Sequence, residues 1–77
     1  MTASKIEKLV RMANQIGDFY APFPEEEAVK RAASHLRLYW TPKMIHEIVA
    51  FAGEGRPGLN AVAAGAVQSL RQAATTA

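Results

Sequence analysis

Three consecutive carboxylates and two histidines are the residues of this sequence that could do acid–base or metal chemistry. Glu25, Glu26 and Glu27 are adjacent, and neighbouring positions on a helix point about 100° apart, so the three carboxylates cannot converge on one ion or substrate. His35 and His46 fall in different segments, and neither is followed three or four residues later by a second metal ligand. We therefore expect the carboxylates to mark a helix start and the histidines to lie on solvated helix faces.

Motifs for nucleophilic catalysis and nucleotide binding are missing as well. Ser4, Ser34 and Ser69 lack the sharp turn that presents a nucleophilic serine. The glycines of residues 53–58 copy the spacing of a dinucleotide fingerprint, but they follow a helical pattern instead of a strand. The absence of cysteine excludes a disulfide scaffold, a thiolate zinc site and an iron–sulfur cluster held by this chain. The sequence gives no support for an enzyme, and we expect this chain to bind no metal or cofactor itself.

Size and charge favour a small soluble protein that works in a complex. The chain has 77 residues, a hydrophobic content of 49% and a formal net charge of +2. A domain this small has little stability to spare, and so small a positive charge is a weak argument for nucleic acid. No run approaches the roughly 18 apolar residues that span a membrane, and the N-terminus lacks the pattern of a secretion signal. We expect a cytoplasmic protein without a membrane partner.

Apolar residues recur at three- and four-residue intervals in four segments, the pattern of amphipathic helices. Ser4 and Glu7 have the spacing of a capping box before the first segment, while Thr41 and Pro42 suit the N-cap and first turn of the third. The predicted helices cover about 5–20, 24–40, 42–52 and 59–72, with a frayed tail at 73–77. No segment alternates with period two for long enough to predict a strand. The predicted fold is all-α, a compact bundle of three to four short helices in a single domain, residues 1–77.

Five of the six aromatic residues lie between positions 19 and 40, near predicted helix ends. A core this small cannot hold all of them, and tyrosine and tryptophan near a surface are typical of protein interfaces. We expect these side chains to divide between core and contact surface, with at least two exposed, and an exposed patch also predicts a homodimer when the chain is isolated. The predicted partner interface contains Phe19, Tyr20, Phe23, Tyr39 and Trp40, together with Arg37.

A basic face on the second helix suggests an alternative function. Lys30, Arg31 and Arg37, with His35, could contact nucleic acid, an acidic partner or a cofactor phosphate, although the preceding carboxylates neutralise part of this charge. A small nucleic-acid-binding or regulatory module is the alternative interpretation. Binding that weakens steeply with salt would distinguish it, because phosphate contacts release counterions.

Two blocks of the sequence occur together in one protein family. The first contains residues 8–16, then Phe19-Tyr20 and residues 24–28; the second contains His35-Leu36-Arg37 and then residues 39–44. In their order and spacing these blocks resemble the delta subunit family of NAD-dependent formate dehydrogenases. The resemblance covers about residues 8–50 of the chain.

The resemblance implies a small accessory subunit of a cytoplasmic formate dehydrogenase that depends on molybdenum or tungsten. Larger subunits would hold molybdopterin, iron–sulfur clusters and FMN, and would couple formate oxidation to NAD reduction. The delta chain would stabilise this complex or assist its maturation, with the alpha subunit as the expected partner. The residues agree with this interpretation, since they include no catalytic constellation and more aromatic side chains than a small core requires.

Overall fold

Four helices follow one another in the computed structural model, which describes residues 5–55 and 58–76. They are α1 (Lys5–Tyr20), α2 (Glu25–Tyr39), α3 (Pro42–Gly53) and α4 (Ala61–Thr76). The described residues contain no strand, and the predicted all-α class is confirmed. α4 packs against each of the other three helices and makes its most extensive contact with α2.

The ends of α3 follow from local chemistry. The Met44 N–H donates to Thr41 Oγ1 at 3.2 Å, and Pro42 occupies the first turn of the helix. The predicted cap at Thr41 is therefore confirmed. At the other end Gly55 has a φ of 72°, a left-handed conformation that commonly terminates helices, and its N–H donates to the Ala52 carbonyl at 3.1 Å.

The bounds of α4 differ from the sequence pattern at both ends. Asn60 Oδ1 accepts a hydrogen bond from the Ala63 N–H at 2.8 Å, so that Asn60 is the N-cap and the helix begins at Ala61, not near residue 59. Residues 73–76, predicted to be a frayed tail, belong to α4. Glycine and proline, the strongest helix breakers, are absent from these four residues. Ala77 and the predicted cap residue Ser4 lie outside the described residues.

Asn60 also fastens the start of α4 to the middle of α1. Its backbone N–H donates to Asn14 Oδ1 at 2.8 Å, and its side-chain amide donates to the Asn14 carbonyl at 3.0 Å and to Asp18 Oδ1 at 3.2 Å. The Asn14 amide donates in turn to the Gly58 carbonyl at 2.7 Å. Two asparagines thus satisfy backbone groups on both sides of the contact and fix the segment that enters α4.

Two glycines let α4 approach its neighbours closely. A Cβ atom at Gly17 on α1 would collide with Asn60 Oδ1 and lie 3.1 Å from the Ala63 nitrogen. A Cβ atom at Gly65 on α4 would lie 2.7 Å from Val29 Cγ2 on α2. Gly65 costs helix propensity, and this contact explains its place in the middle of α4.

Small side chains are frequent in the core between the helices, and they permit short distances between helix axes. Five of its twelve residues are alanines. The core residues are Leu9, Ala13, Ala32, Ala33, Leu36, Trp40, Ile48, Phe51, Ala63, Ala66, Val67 and Leu70.

We predict opposite effects for two glycine-to-alanine changes in helices. Gly17→Ala should lower the free energy of unfolding by about 1–2 kcal/mol, because its new methyl group displaces the Asn60 cap. Gly53→Ala should leave stability unchanged or raise it by up to about 1 kcal/mol, since a Cβ atom there meets nothing within 4 Å. Urea unfolding of both variants measures the difference, and equal effects would contradict the close approach of α1 and α4.

Candidate partner-binding surface

A continuous series of ring contacts covers one side of α1 and α2. Phe19 and Tyr20 meet edge to face with centroids 4.9 Å apart, and Tyr20 lies 6.1 Å from the Phe23 ring and 6.4 Å from the His35 ring. His35 continues to Tyr39 at 4.7 Å. We call these five side chains the aromatic face. Aromatic pairs at such distances stabilise one another, so the five rings form one preorganised surface.

Helix ends and one turn position the aromatic face. Phe19 and Tyr20 lie in the last turn of α1, and the Phe23 N–H donates to the Tyr20 carbonyl at 3.0 Å, which folds Phe23 back towards α1. His35 and Tyr39 are one helical turn apart on α2 and therefore share a side of the helix. The short connection between α1 and α2 brings the two groups together.

The aromatic face is open to solvent. Phe19 and Tyr39 are each 72% exposed and Phe23 is 37% exposed, whereas Tyr20 and His35 are half-buried. The prediction of at least two exposed aromatic side chains is confirmed. A contiguous exposed apolar patch is uncommon on a monomer and typically marks a contact surface.

Trp40 has a different position from the one its sequence context suggests. It is 7% exposed and belongs to the core. α2 ends at Tyr39, and the extended backbone at Trp40, with φ −92° and ψ 145°, takes this side chain out of the helical series. The sequence hypothesis placed Tyr39 and Trp40 in the same interface, but the structure separates them into surface and core.

A groove of about 550 Å³ runs beside the aromatic face, between α1, the end of α2 and the start of α3. Its lining adds two methionines that the sequence reasoning missed, Met12, which is 40% exposed, and the half-buried Met44. Met12 precedes Phe19 by seven residues, a helical spacing that puts both side chains on one side of α1. This spacing is the sequence signal that predicts Met12 as part of the same surface. The lining residues are Met12, Gln15, Ile16, Phe19, Tyr20, His35, Tyr39, Trp40 and Met44.

The two arginines of α2 lie in different surroundings. Arg31 Nε is 3.2 Å from Glu27 Oε2, and the Arg31 guanidinium lies over the Phe23 ring at 4.5 Å from its centroid. Arg31 therefore extends the aromatic face. Arg37 lines a separate groove between α2 and α3 with Trp40 and His46, so the structure brings it together with Trp40 but not with the aromatic face.

The remaining chemistry-bearing residues stay apart. The first turn of α2 holds Glu25, Glu26 and Glu27, as predicted, where carboxylates interact favourably with the positive end of the helix dipole. Within residues 5–55 and 58–76, no group of three or more histidine, aspartate or glutamate side chains could hold a metal ion. None of the helices in this part of the chain is both long and apolar enough to cross a bilayer.

Fold and surface define a small helical protein whose main exposed feature is an aromatic patch. A family model described as NADH-dependent formate dehydrogenase delta subunit, FdsD, matches residues 8–67. The chain belongs to this family, which confirms the resemblance seen in its sequence. The match extends past residue 53 and into α4, beyond the two blocks that carry the resemblance. No curated protein and no solved structure matches the chain.

We expect the neighbours Tyr39 and Trp40 to respond differently to truncation. Trp40→Ala should lower the free energy of unfolding by about 3–5 kcal/mol, because it empties a large part of the core. Tyr39→Ala should lower it by about 1 kcal/mol or less, because the ring is largely in solvent and loses mainly its contact with His35. Urea unfolding followed by far-ultraviolet circular dichroism compares them, and a large loss for Tyr39→Ala would overturn its assignment to the surface.

Proposed function

We propose that this chain is a non-catalytic accessory subunit that stabilises, or helps to mature, a cytoplasmic, molybdenum-dependent, NAD-linked formate dehydrogenase. The observation that carries the proposal is the exposed aromatic face in a member of the delta subunit family. Exposed aromatic side chains that already contact one another lose little conformational entropy on binding. They are therefore suited to be the centre of a subunit interface.

The chemistry of the chain supports a role without catalysis. It has no cysteine for an iron–sulfur cluster, and its described carboxylates and histidines do not gather into a ligand set. In this proposal molybdopterin, iron–sulfur clusters and FMN are held by larger subunits, with alpha as the expected contact. The chain alone should not reduce NAD with formate.

The alternative nucleic-acid function depends on the basic face of α2. Arg31 is already engaged by Glu27 and by the Phe23 ring, and the first turn of the same helix carries three carboxylates. Both features reduce the attraction of this face for phosphate groups. The aromatic surface therefore favours the subunit interpretation.

Deleting the gene for this chain from its host should impair assembly of the dehydrogenase without preventing synthesis of its larger subunits. The larger subunits should still be made, but the amount of active complex should fall, because an accessory chain acts on association or maturation. Activity, subunit stoichiometry and molybdenum per alpha subunit measure this in the purified enzyme. A deletion strain with fully assembled, fully loaded and fully active enzyme would contradict the proposal, as would a tagged chain that recovers nucleic acid and no dehydrogenase subunit.

Substitution should locate the interface on the aromatic face. Phe19→Ala combined with Tyr39→Ala should weaken binding to dehydrogenase purified without this chain by about 2 kcal/mol or more, as for interface hot spots. Gln68→Ala is the control, since Gln68 is exposed on α4, a helix that contributes no residue to the aromatic face or to the groove beside it. A titration followed by light scattering or calorimetry measures both. Equal losses for the control and the double variant would argue for a different surface.

A further inference from the structure

The groove that Arg37 lines lies between the end of α2 and α3 and has a volume of about 460 Å³. We call it the Arg37 groove. Within the described ranges, α2 and α3 make fewer contacts with each other than any other pair of helices, although they are consecutive in the chain. The two helices therefore leave an open groove between them. Its lining consists of Arg37, Trp40, Pro42, Ile45, His46 and Val49.

Arg37 brings a positive charge to this groove that the chain does not neutralise. It is exposed in the last turn of α2, and in the described part of the chain its guanidinium forms no ion pair. The lining of the groove includes no carboxylate. Glu25, Glu26 and Glu27 lie at the opposite end of α2, and Glu47 of α3 is paired with Lys5 at 3.4 Å. The guanidinium is therefore available to an acceptor from outside.

The other lining residues indicate which acceptor suits the Arg37 groove. A guanidinium binds a single carboxylate through two parallel hydrogen bonds, and an imidazole N–H of His46 could donate one more. The remaining four residues are apolar. A nucleic acid strand presents successive phosphate groups and needs a series of cations, whereas this groove offers one arginine. The lining therefore favours one carboxylate beside an apolar side chain.

The Arg37 groove adjoins the surface that the proposed function assigns to the partner. Trp40 lines both this groove and the groove beside the aromatic face. The two grooves are therefore neighbours at the junction of α2 and α3. A partner that covers the aromatic face is thus placed to enter the Arg37 groove as well.

We propose that the Arg37 groove binds a segment of a larger dehydrogenase subunit in which an aspartate or glutamate lies beside an apolar side chain. The carboxylate pairs with Arg37 and accepts a hydrogen bond from His46. The apolar side chain packs against Ile45 and Val49, which are half-buried. This inference rests on the proposed function and adds the chemistry of the partner. The ion pair accelerates association and sets the register of the segment, while the apolar contact supplies affinity.

The first test is a titration of formate dehydrogenase, purified from a strain lacking this chain, with Arg37→Gln at low and high salt. This variant should bind about tenfold more weakly than the unaltered chain at low salt, and the difference should shrink at high salt. Arg11→Gln is the matched control, because Arg11 is an exposed arginine that lines a different groove. It should weaken binding by less than about threefold. Circular dichroism checks that both variants remain helical.

The second test identifies the partner's carboxylate. Arg37→Lys places an amine in the groove, and a carbodiimide joins an amine to a carboxylate that contacts it. Mass spectrometry of the treated complex should find position 37 joined to an aspartate or glutamate of a larger subunit, next to an apolar residue. The control, Arg11→Lys, should give no such product from position 11.

The outcomes separate this inference from the function on which it depends. If Arg37→Gln binds normally while the aromatic variants fail, the acidic segment is wrong and the accessory function stands. An equal loss for Arg11→Gln would assign the effect to overall charge and also overturn the inference. A cross-link from position 37 to a second copy of this chain would overturn it too, as would a loss of RNA binding by Arg37→Gln with normal dehydrogenase binding. If the unaltered chain does not bind the dehydrogenase, both proposals fail.

Discussion

The close packing of α4 against the other helices is the constraint on which the rest of the structure depends. It requires a residue without Cβ at Gly17, where Asn60 caps α4, and another at Gly65, where α4 meets Val29 of α2. α4 closes one side of the bundle in this way. The groove lined by α1, the end of α2 and the start of α3 contains no residue of α4, so the aromatic face beside it remains uncovered.

The polar and apolar side chains of α1 lie on different sides of the helix, one covered by α4 and the other uncovered. Asn14 and Asp18 face α4 and are committed to hydrogen bonds with Asn60, while Met12 and Phe19 face the open groove. A single helix therefore holds the bundle together on one side and offers an apolar surface on the other. Because α4 does not cover this side of α1, a large ring such as Phe19 stays in solvent.

Helical periodicity and cap chemistry predicted the fold class and the start of α3 because these are local properties. The start of α4 was misplaced because the apolar periodicity extends back to Leu59, although asparagine is among the preferred N-cap residues. The hydrogen bond that fixes Asn60 is made with Asn14, 46 positions earlier, and is not a local signal. The same limit applies to the surface. The clustering of aromatic residues predicted that some of their side chains are exposed. It could not distinguish the neighbours Tyr39 and Trp40, because only the change of backbone conformation after α2 shows which of them is buried.

The central claim, that the aromatic face contacts the dehydrogenase, is tested most directly by cross-linking in the host. A photoreactive phenylalanine analogue would replace Tyr39 in one strain and the exposed residue Gln68 of α4 in another. After illumination, mass spectrometry identifies the chain captured at each position. The analogue at position 39 should capture a larger formate dehydrogenase subunit, with a yield well above that at position 68. Capture of that subunit from position 68 but not from position 39 would contradict the central claim.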